Sequence, residues 1–353
     1  MYVFKRYIYI FYPRISIIME YIAKCINGLE SIAELEIKDL CSAPCKKLSP
    51  GLLKFSTNNI DRLLKFCRSL ITVYEFKKSF TFSSLNEITL NLPEIKINGT
   101  FKVKCFKNLN FSSQEVEKKV GEFYYNKGNK VNLDNADNVI IVDIIENLCI
   151  IGVAIVRKNL TKRAYKLRVH NQSLNASIAY GMVRFSGWNK SQILVDPFAK
   201  DGTLVIEAAS FALSLPREIE GDYFDKDNNS NLQIYAYDNN LHNIQNCKVN
   251  SKLANINDKI KFSKIDISWL DVKFNENEVD HIITSPPLFS SHNDATNVYK
   301  ELFDKANIVL KRNGKLTILT NKSLDFITNL KLDDHFVIEH GENTYYILKY
   351  SKI

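Results

Sequence analysis

Residues 196–203 read Asp-Pro-Phe-Ala-Lys-Asp-Gly-Thr, between the apolar run Ile193–Val195 and the helical pattern Thr203–Leu215. A strand that leads through a short loop into a helix is the repeating unit of a doubly wound α/β sheet. In such a sheet, ligands bind at the carboxyl ends of the strands, where these loops lie. The loop at residues 196–203 is therefore the first candidate for a ligand site.

The same alternation of strands and helices extends along the C-terminal part of the chain. After a predicted helix at Leu174–Gly187, the further predicted elements are Gln233–Tyr237, Leu241–Ala254, Ile260–Lys264, Asp280–Thr284, Lys300–Lys311 and Lys315–Thr320. Two extended segments, His335–Glu339 and Tyr345–Tyr350, follow and are separated by a turn at Gly341. Residues 169–353 are therefore predicted to form a mainly parallel sheet that ends in an antiparallel hairpin.

The N-terminal part has a different pattern, and a chain of 353 residues exceeds one comfortable core, so we expect two or three domains. Residues 19–83 alternate between extended and helical stretches and predict a small α+β unit. Residues 84–168 are predicted to form a second unit. Its predicted elements are the strand Phe101–Phe106, the helix Ser112–Lys127 and the hairpin of Asn138–Ile145 with Leu148–Val156.

The net charge of +8 lies almost entirely in the N-terminal half. Residues 1–160 carry 23 Lys and Arg against 16 Asp and Glu, whereas residues 161–353 carry 24 against 23. Such a distribution fits a nucleic-acid-binding module attached to a near-neutral catalytic one. The seven cysteines are scattered and show no metal-ligand spacing, so we expect free thiols, no metal, and a reducing, cytoplasmic location.

Residues 1–18 are rich in Tyr, Phe and Ile, but Lys5, Arg6, Pro13 and Arg14 interrupt them. No uninterrupted apolar stretch is long enough to span a bilayer, and we expect no membrane partner. One interpretation is that translation starts at Met19, so that this extension is not made. The alternative is a basic and aromatic segment that associates with a membrane surface.

A second loop, Thr284-Ser285-Pro286-Pro287-Leu288-Phe289, follows the apolar strand Asp280–Thr284. It is similar to the Asn-Pro-Pro-Tyr loop of enzymes that methylate exocyclic amines. The resemblance implies that Ser285, Pro286 and Pro287 are catalytic, with the Ser285 side chain and the Pro286 carbonyl holding the amine hydrogens. Leu288 replaces the aromatic residue that stacks on the target base, and Phe289 is its expected substitute.

The loop at residues 196–203 resembles the Asp-Pro-Phe-Cys-Gly-Ser-Gly-Thr loop of THUMP-linked RNA methyltransferases, which wraps S-adenosyl-L-methionine. The resemblance implies cofactor-binding roles for Asp196, Phe198, Lys200, Gly202, Thr203, Asp238 and Asp266. Asp238 corresponds to the acid that binds the ribose hydroxyls, and Asp266 to an acceptor for the adenine amine. For Asp266, capping of a helix is an equal alternative.

A basic segment, Leu160 to Arg168, follows the predicted hairpin. It resembles the Leu-x-Lys-Arg-Gly-Tyr-Arg segment that closes the THUMP RNA-binding domain, and the Gly28-Leu29-Glu30 helix start resembles the ferredoxin-like module that precedes THUMP. The resemblance implies a ferredoxin-like module at 19–83, a THUMP domain at 84–168 and a Rossmann-like methyltransferase domain at 169–353. The expected RNA contacts are Lys162, Arg163, Tyr165, Lys166 and Arg168. A basic linker over a domain junction is the alternative.

Several positions depart from the family pattern. Lys200 stands at a glycine position, where its charge either repels the cofactor sulfonium or attracts the cofactor carboxylate. Asn240 stands where the family often has a second acid, and Ser285 and Leu288 depart as described above. These changes indicate either a modified site or one that has lost its chemistry.

Three hypotheses follow. The first is a monomeric methyltransferase that acts on the N2 amine of a guanosine, with tRNA as the preferred substrate and large-subunit rRNA as the alternative. The second is an RNA-binding protein whose methyltransferase domain is catalytically impaired. The third, a DNA amine methyltransferase, is supported only by the Ser-Pro-Pro sequence.

Overall fold

The computed structural model describes residues 18–107, 112–156, 158–217, 231–288, 292–321 and 328–353. The expectations for the N-terminal extension before Ile18 and for Phe289 lie outside these residues.

The N-terminal part is built on one eight-stranded sheet. Its strands are β1 (Met19–Cys25), β2 (Cys45–Ser49), β3 (Leu52–Thr57), β4 (Leu70–Thr81), β5 (Thr100–Lys107), β6 (Lys130–Val131), β7 (Asn138–Ile145) and β8 (Leu148–Ala154). The helices are α1 (Glu30–Cys41), α2 (Ile60–Phe66), α3 (Leu85–Leu90) and α4 (Ser113–Asn126). The strand order is β2-β3-β1-β4-β8-β7-β5-β6.

Strand β4 joins the two predicted N-terminal units into this one sheet. It pairs antiparallel with β1 along one edge and with β8 along the other. The predicted boundary after residue 83 therefore falls just beyond the end of β4, and hydrogen bonds cross from one unit to the other. The sequence pattern does not predict β2, α3 or β6, because these elements are short or carry little apolar periodicity.

The C-terminal part contains a seven-stranded sheet. Its strands are β9 (Leu194–Asp196), β10 (Ile234–Asp238), β11 (Ile260–Lys264), β12 (Val279–Thr284), β13 (Leu310–Thr320), β14 (Lys331–His340) and β15 (Asn343–Ser351). The helices are α5 (Ala176–Ser186), α6 (Thr203–Ala212), α7 (Leu241–Leu253), α8 (Leu270–Lys273) and α9 (His292–Val309). Helix α9 begins at His292, whereas the sequence predicted a start at Lys300.

The strand order β11-β10-β9-β12-β13-β15-β14 confirms the predicted doubly wound sheet with a terminal hairpin. The first five strands are parallel, and β15 pairs antiparallel with both β13 and β14. Because β9 lies between β10 and β12, the chain winds in opposite directions from it. The loops that follow β9 and β12 therefore meet at the switch point, where doubly wound sheets bind ligands.

Two apolar clusters cover the two faces of this sheet. Leu194 packs with α5 and α6 in one cluster, and its neighbour Val195 packs with α9 in the other. This follows from the alternation of side chains along a strand, and it explains why β9 and β12 read as continuous apolar runs. Among the described residues, no helix is both long and apolar enough to cross a membrane.

A buried ionic cluster joins the two parts of the molecule. Glu207 on α6 is fully buried and accepts hydrogen bonds from Arg163 Nε at 2.8 Å, Tyr165 OH at 2.8 Å and Arg68 Nη1 at 3.0 Å. Arg68 lies just before β4, and its backbone carbonyl accepts from Arg163 Nη2 at 2.9 Å. We call Arg68, Arg163, Tyr165 and Glu207 the junction cluster.

The junction cluster corrects the prediction that Arg163 and Tyr165 contact RNA. Both residues are only 6% exposed, and their polar atoms are bound to Glu207. A buried guanidinium that is paired and hydrogen-bonded has no free face for a phosphate. Arg163 and Tyr165 therefore fit the alternative given above, a basic linker over a domain junction, and not direct contact with RNA.

Candidate functional site

Asp196, at the end of β9, ties the two candidate loops together. Its Oδ1 accepts from Thr284 Oγ1 at 2.6 Å and from the Phe198 amide at 3.1 Å. The residue is 2% exposed, and burial raises its pKa from 3.8 to about 7, although these two hydrogen bonds lower it. Asp196 therefore stabilises the loops from behind the site.

Gly202 is required by the shape of the first loop. Its φ is +82°, and a Cβ at this position would lie 3.2 Å from Cys247 Cα on α7. The neighbouring Asp201 accepts from the Thr203 amide at 3.2 Å and from Thr203 Oγ1 at 2.8 Å. The loop is thus held tightly between the start of α6 and the side of α7.

Asp238, at the end of β10, lies across the loop with only 5% of its surface exposed. Its Oδ2 accepts from the Lys200 amide at 3.0 Å, and its Oδ1 accepts from the Asn240 amide at 3.0 Å and from Asn243 Nδ2 at 2.9 Å. Two carboxylate oxygens offer about four acceptor positions. The three donors among the described residues therefore leave room for a further donor from a ligand.

Asp266 caps a short helical turn. Its Oδ1 accepts from the Ser268 amide at 3.1 Å and from Ser268 Oγ at 2.8 Å, and its Oδ2 accepts from Asn239 Nδ2 at 3.2 Å. Partial burial raises the pKa of Asp266, but these hydrogen bonds outweigh it and hold the pKa below 3.8. The capping alternative is therefore observed, and the adenine contact stays a prediction.

Lys200 adopts an orientation that the sequence analysis did not consider. Its backbone has φ of +54°, and its side chain reaches the second loop, where Nζ lies 3.3 Å from Ser285 Oγ and 3.4 Å from the Pro286 carbonyl oxygen. Burial lowers the pKa of Lys200 to about 8, against the opposing effect of Asp196, Asp201 and Asp238. Lys200 therefore donates to both acceptors that the resemblance assigns to the target amine.

Gln172, which was not among the predicted site residues, holds the second loop in place. Its Nε2 donates to the Leu288 carbonyl at 3.1 Å, and its Oε1 accepts from the Leu288 amide at 3.0 Å. The Leu288 side chain is half-buried and packs against the apolar cluster around α5 and α6. No local pattern marks Gln172, because its partner lies more than a hundred residues away along the chain.

A cavity of about 380 Å³ opens between the two loops. Its lining comprises His170, Asn171, Gln172, Phe198, Lys200, Asp238, Asn239, Asn243, Asp266, Ile267, Pro287, Val298 and Glu301. Five of the predicted site residues, Phe198, Lys200, Asp238, Asp266 and Pro287, thus meet around one space. Among the described residues of the two loops, the predicted ones that do not line it are Asp196, Gly202, Thr203, Ser285, Pro286 and Leu288.

The remaining predicted RNA contacts lie in the connector between the two sheets. Lys162 and Arg168 are exposed, and Arg168 is two residues before His170, which lines the cavity. Lys166 is half-buried, and its Nζ donates to Ser173 Oγ at 2.7 Å and to the Leu174 carbonyl at 2.6 Å. Lys162 and Arg168 therefore stay candidates for RNA contacts.

The chain is similar to several RNA methyltransferases. It is 29% identical over 259 residues to a tRNA (guanine(6)-N2)-methyltransferase of Methanocaldococcus jannaschii, covering 64% of this chain and 68% of the relative. The enzyme of the same name from Archaeoglobus fulgidus is 23% identical, with 86% of this chain and 84% of the relative covered. A ribosomal RNA large subunit methyltransferase K/L of Buchnera aphidicola is 23% identical, over 92% of this chain and 53% of the relative.

Solved structures have the same fold. TrmN from Thermus thermophilus superposes with a TM-score of 0.78 at 21% identity, covering 95% of this chain and all of that one. SMU.472, whose structure contains SAH, superposes with a TM-score of 0.77 at 16% identity over 95% of this chain and 98% of that one. Both likenesses extend through the N-terminal sheet as well as the C-terminal one.

Two family matches divide the chain between them. Residues 59–154 match the THUMP domain, and residues 163–346 match the RMKL-like methyltransferase domain. The second match covers more than half of the chain and contains both loops, the cavity and the doubly wound sheet except for the end of β15. This chain belongs to the RMKL-like methyltransferase family, with a THUMP domain before its methyltransferase domain.

Proposed function

We propose that this protein is an S-adenosyl-L-methionine-dependent RNA methyltransferase that acts on the N2 amine of a guanosine, with tRNA as the preferred substrate. One observation carries the proposal. Ser285 Oγ and the Pro286 carbonyl converge beside the cavity so that a single nitrogen, Lys200 Nζ, lies within hydrogen-bond distance of both. An acceptor pair with this spacing suits the two hydrogens of an exocyclic amine.

The lining of the cavity suits S-adenosyl-L-methionine. Its volume of about 380 Å³ lies within the usual range of about 300–1,000 Å³ for small-molecule sites. Asp238 can accept from a ribose hydroxyl, because the described donors leave one acceptor position on its carboxylate. Phe198 and Ile267 offer apolar surface for an adenine ring. The cofactor, when bound, supplies an electrophilic methyl group.

The residues of this chain orient the target amine. Ser285 and Pro286 accept its two N–H groups, which leaves the nitrogen lone pair directed away from the loop. Gln172 keeps the loop in one conformation through its paired hydrogen bonds to Leu288. Orientation of this kind accounts for catalysis without a strong base, because the proton is lost after the nitrogen becomes positively charged.

RNA as the substrate class is supported by the THUMP match, by the names of the relatives and by the basic N-terminal half. Lys162 and Arg168 are exposed cations on the connector that leads to the cavity lining at His170, and both can neutralise phosphates. Two of the relatives are tRNA enzymes, which favours tRNA, and the K/L relative makes large-subunit rRNA the alternative. We propose a cytoplasmic monomer as the acting form.

A non-catalytic RNA-binding protein is the second candidate. It is favoured by Lys200 itself, because an ammonium on both acceptors excludes a target amine and adds a positive charge beside a cationic cofactor. In that case the protein would bind RNA without methylating it.

Two measurements on the purified full-length chain separate these candidates. Calorimetry should detect S-adenosyl-L-methionine binding, and Asp238→Ala should abolish it. Mass spectrometry of nucleosides should then detect N2-methylguanosine after incubation with unmodified tRNA, with large-subunit rRNA as the parallel reaction. RNA binding without either signal, in a protein that is folded by circular dichroism, would reject the enzyme and support the second candidate.

A further inference from the structure

Lys200 places an amine of the protein at the position that the proposed reaction reserves for its substrate. Its Nζ is within 3.3 Å of Ser285 Oγ and 3.4 Å of the Pro286 carbonyl oxygen. The residue is 6% exposed, and it lines the same cavity as Asp238. When the two N–H groups of a neutral amine donate to these two acceptors, the nitrogen lone pair is directed away from them, as it would be in a target amine.

The charge state of Lys200 permits chemistry at this nitrogen. Only the neutral amine has a lone pair and can act as a nucleophile. Burial lowers the pKa of Lys200 to about 8, although Asp196, Asp201 and Asp238 each favour the charged form. His170, on the connector, also faces this group. At mildly alkaline pH, Lys200 is therefore neutral in a substantial fraction of the molecules. The two N–H groups of the neutral amine still reach both acceptors.

We propose that Lys200 is a methylation site of this protein, modified by its own active site when no RNA is bound. The inference rests on the proposed function, because the methyl donor is S-adenosyl-L-methionine. The Nζ lone pair forms a bond to the methyl carbon while the bond between that carbon and sulfur breaks, and its electron pair stays on sulfur. The products are a methylated ammonium and a neutral thioether, and loss of one proton to water restores the neutral amine.

Lys166 is a natural internal control for this reaction. It is half-buried, whereas Lys200 is buried, and burial lowers the pKa of Lys166 as well, although Asp201 and Glu207 oppose the change. Its Nζ, however, donates to Ser173 Oγ and to the Leu174 carbonyl, not to the second loop. A reaction that depends only on low basicity would modify both lysines, whereas one that depends on the acceptor pair modifies Lys200 alone.

The test uses the full chain with S-adenosyl-L-methionine that carries a deuterated methyl group, in the absence of RNA. Peptides from a protease that does not cleave at lysine are then analysed by mass spectrometry. We expect the label on Lys200 and not on Lys166. Ser285→Ala should reduce the label about tenfold through loss of one acceptor, and Lys200→Arg should abolish it. Calorimetry of cofactor binding to each variant provides a measurement that is independent of turnover.

Each outcome decides the question. Equal labelling of Lys166 and Lys200 would indicate non-specific chemical methylation and overturn the inference. An unlabelled Lys200 in a protein that methylates RNA would overturn the inference and leave the proposed function intact. Absence of both cofactor binding and RNA methylation would overturn both. Label confined to Lys200 and dependent on Ser285 would establish the site.

Discussion

Lys200 stands at a position for which the sequence resemblance implies a glycine, and the structure shows how a lysine fits there. The backbone of Lys200 adopts the left-handed conformation, with φ of +54°, which costs a non-glycine residue about 1–2 kcal/mol. The side chain recovers part of this through hydrogen bonds to Ser285 and Pro286. The loop therefore keeps its shape, but its acceptors become occupied.

We expect Lys200→Gly to increase RNA methylation. The substitution relieves the backbone and frees Ser285 Oγ and the Pro286 carbonyl for the target amine. Loss of a competing hydrogen bond corresponds to about a tenfold gain in kcat/KM. Lys200→Met, which fills the same space without an N–H donor, separates the effect of hydrogen bonding from that of volume. An unchanged rate in both variants would show that Lys200 does not compete with substrate.

Gly202 is the residue in the first loop that should tolerate least change. Gly202→Ala combines a left-handed backbone with a Cβ 3.2 Å from Cys247 Cα, so we expect a loss of about 2–4 kcal/mol in unfolding free energy. Gly187→Ala is the matched control, because Gly187 has φ of +79° and open space around it, and should lose only about 1 kcal/mol. Urea denaturation measures both. Equal losses would mean that α7 moves away without cost.

At the scale of elements, helix α6 has two functions. Its N-terminus follows the first loop, and its middle carries Glu207 into the junction cluster. Burial alone would raise the pKa of Glu207, but Arg163 and Arg68 outweigh it and hold the pKa below 4.5. The helix thus connects the candidate site to the N-terminal sheet through charged groups that are buried on all sides.

We expect Glu207→Gln to destabilise the protein by about 3–5 kcal/mol, because it leaves two buried guanidinium groups without a countercharge. Glu122→Gln is the control: the pair of Glu122 with Lys118 on α4 is exposed, with 4.0 Å between the charged atoms, and should contribute about 0.5 kcal/mol or less. Both effects are measured by urea denaturation at neutral pH. Similar small losses would show that the junction cluster adds nothing to stability.

The same cluster predicts a pH dependence. Since the folded state holds the pKa of Glu207 below its ordinary 4.5, its contribution is complete above that value and is lost as the pH falls through the folded pKa. The difference in unfolding free energy between wild type and Glu207→Gln should therefore narrow below about pH 4.5. A difference that stays constant down to pH 3 would contradict the assigned ionisation.

At the scale of the whole molecule, the connector between the two sheets carries the exposed cations Lys162 and Arg168, and Arg168 lies two residues before His170 of the cavity lining. We expect Lys162→Ala and Arg168→Ala each to weaken RNA binding and to reduce the slope of log K against log salt concentration by about 0.7–0.9. Lys190→Ala is the control, because Lys190 is exposed on the segment before β9, at the opposite end of that strand from the cavity. Fluorescence anisotropy at several salt concentrations measures these slopes. An equal effect at Lys190 would indicate a general charge effect without a defined RNA path.

The sequence by itself determined the doubly wound sheet, its terminal hairpin and the two loops that carry the site. Strand alternation and helical periodicity are local properties, and the residues around Asp196 and Ser285 follow directly from the strands that precede them. The continuous eight-stranded sheet was not predicted, because strand pairing is not a local property. No sequence pattern within β1, β4 or β8 indicates that β4 pairs with both of the other strands.

Only the tertiary structure decided what individual polar side chains contact. Arg163 and Tyr165 looked like RNA ligands in a basic segment, yet both bind Glu207. The helical pattern places Glu207 on α6, but no local pattern shows that α6 lies against this basic segment. Gln172 and Lys200 both reach the second loop, although each is far from it in sequence. A long side chain can turn toward many partners, and its hydrogen bonds depend on which segments the fold brings within a few ångströms of it.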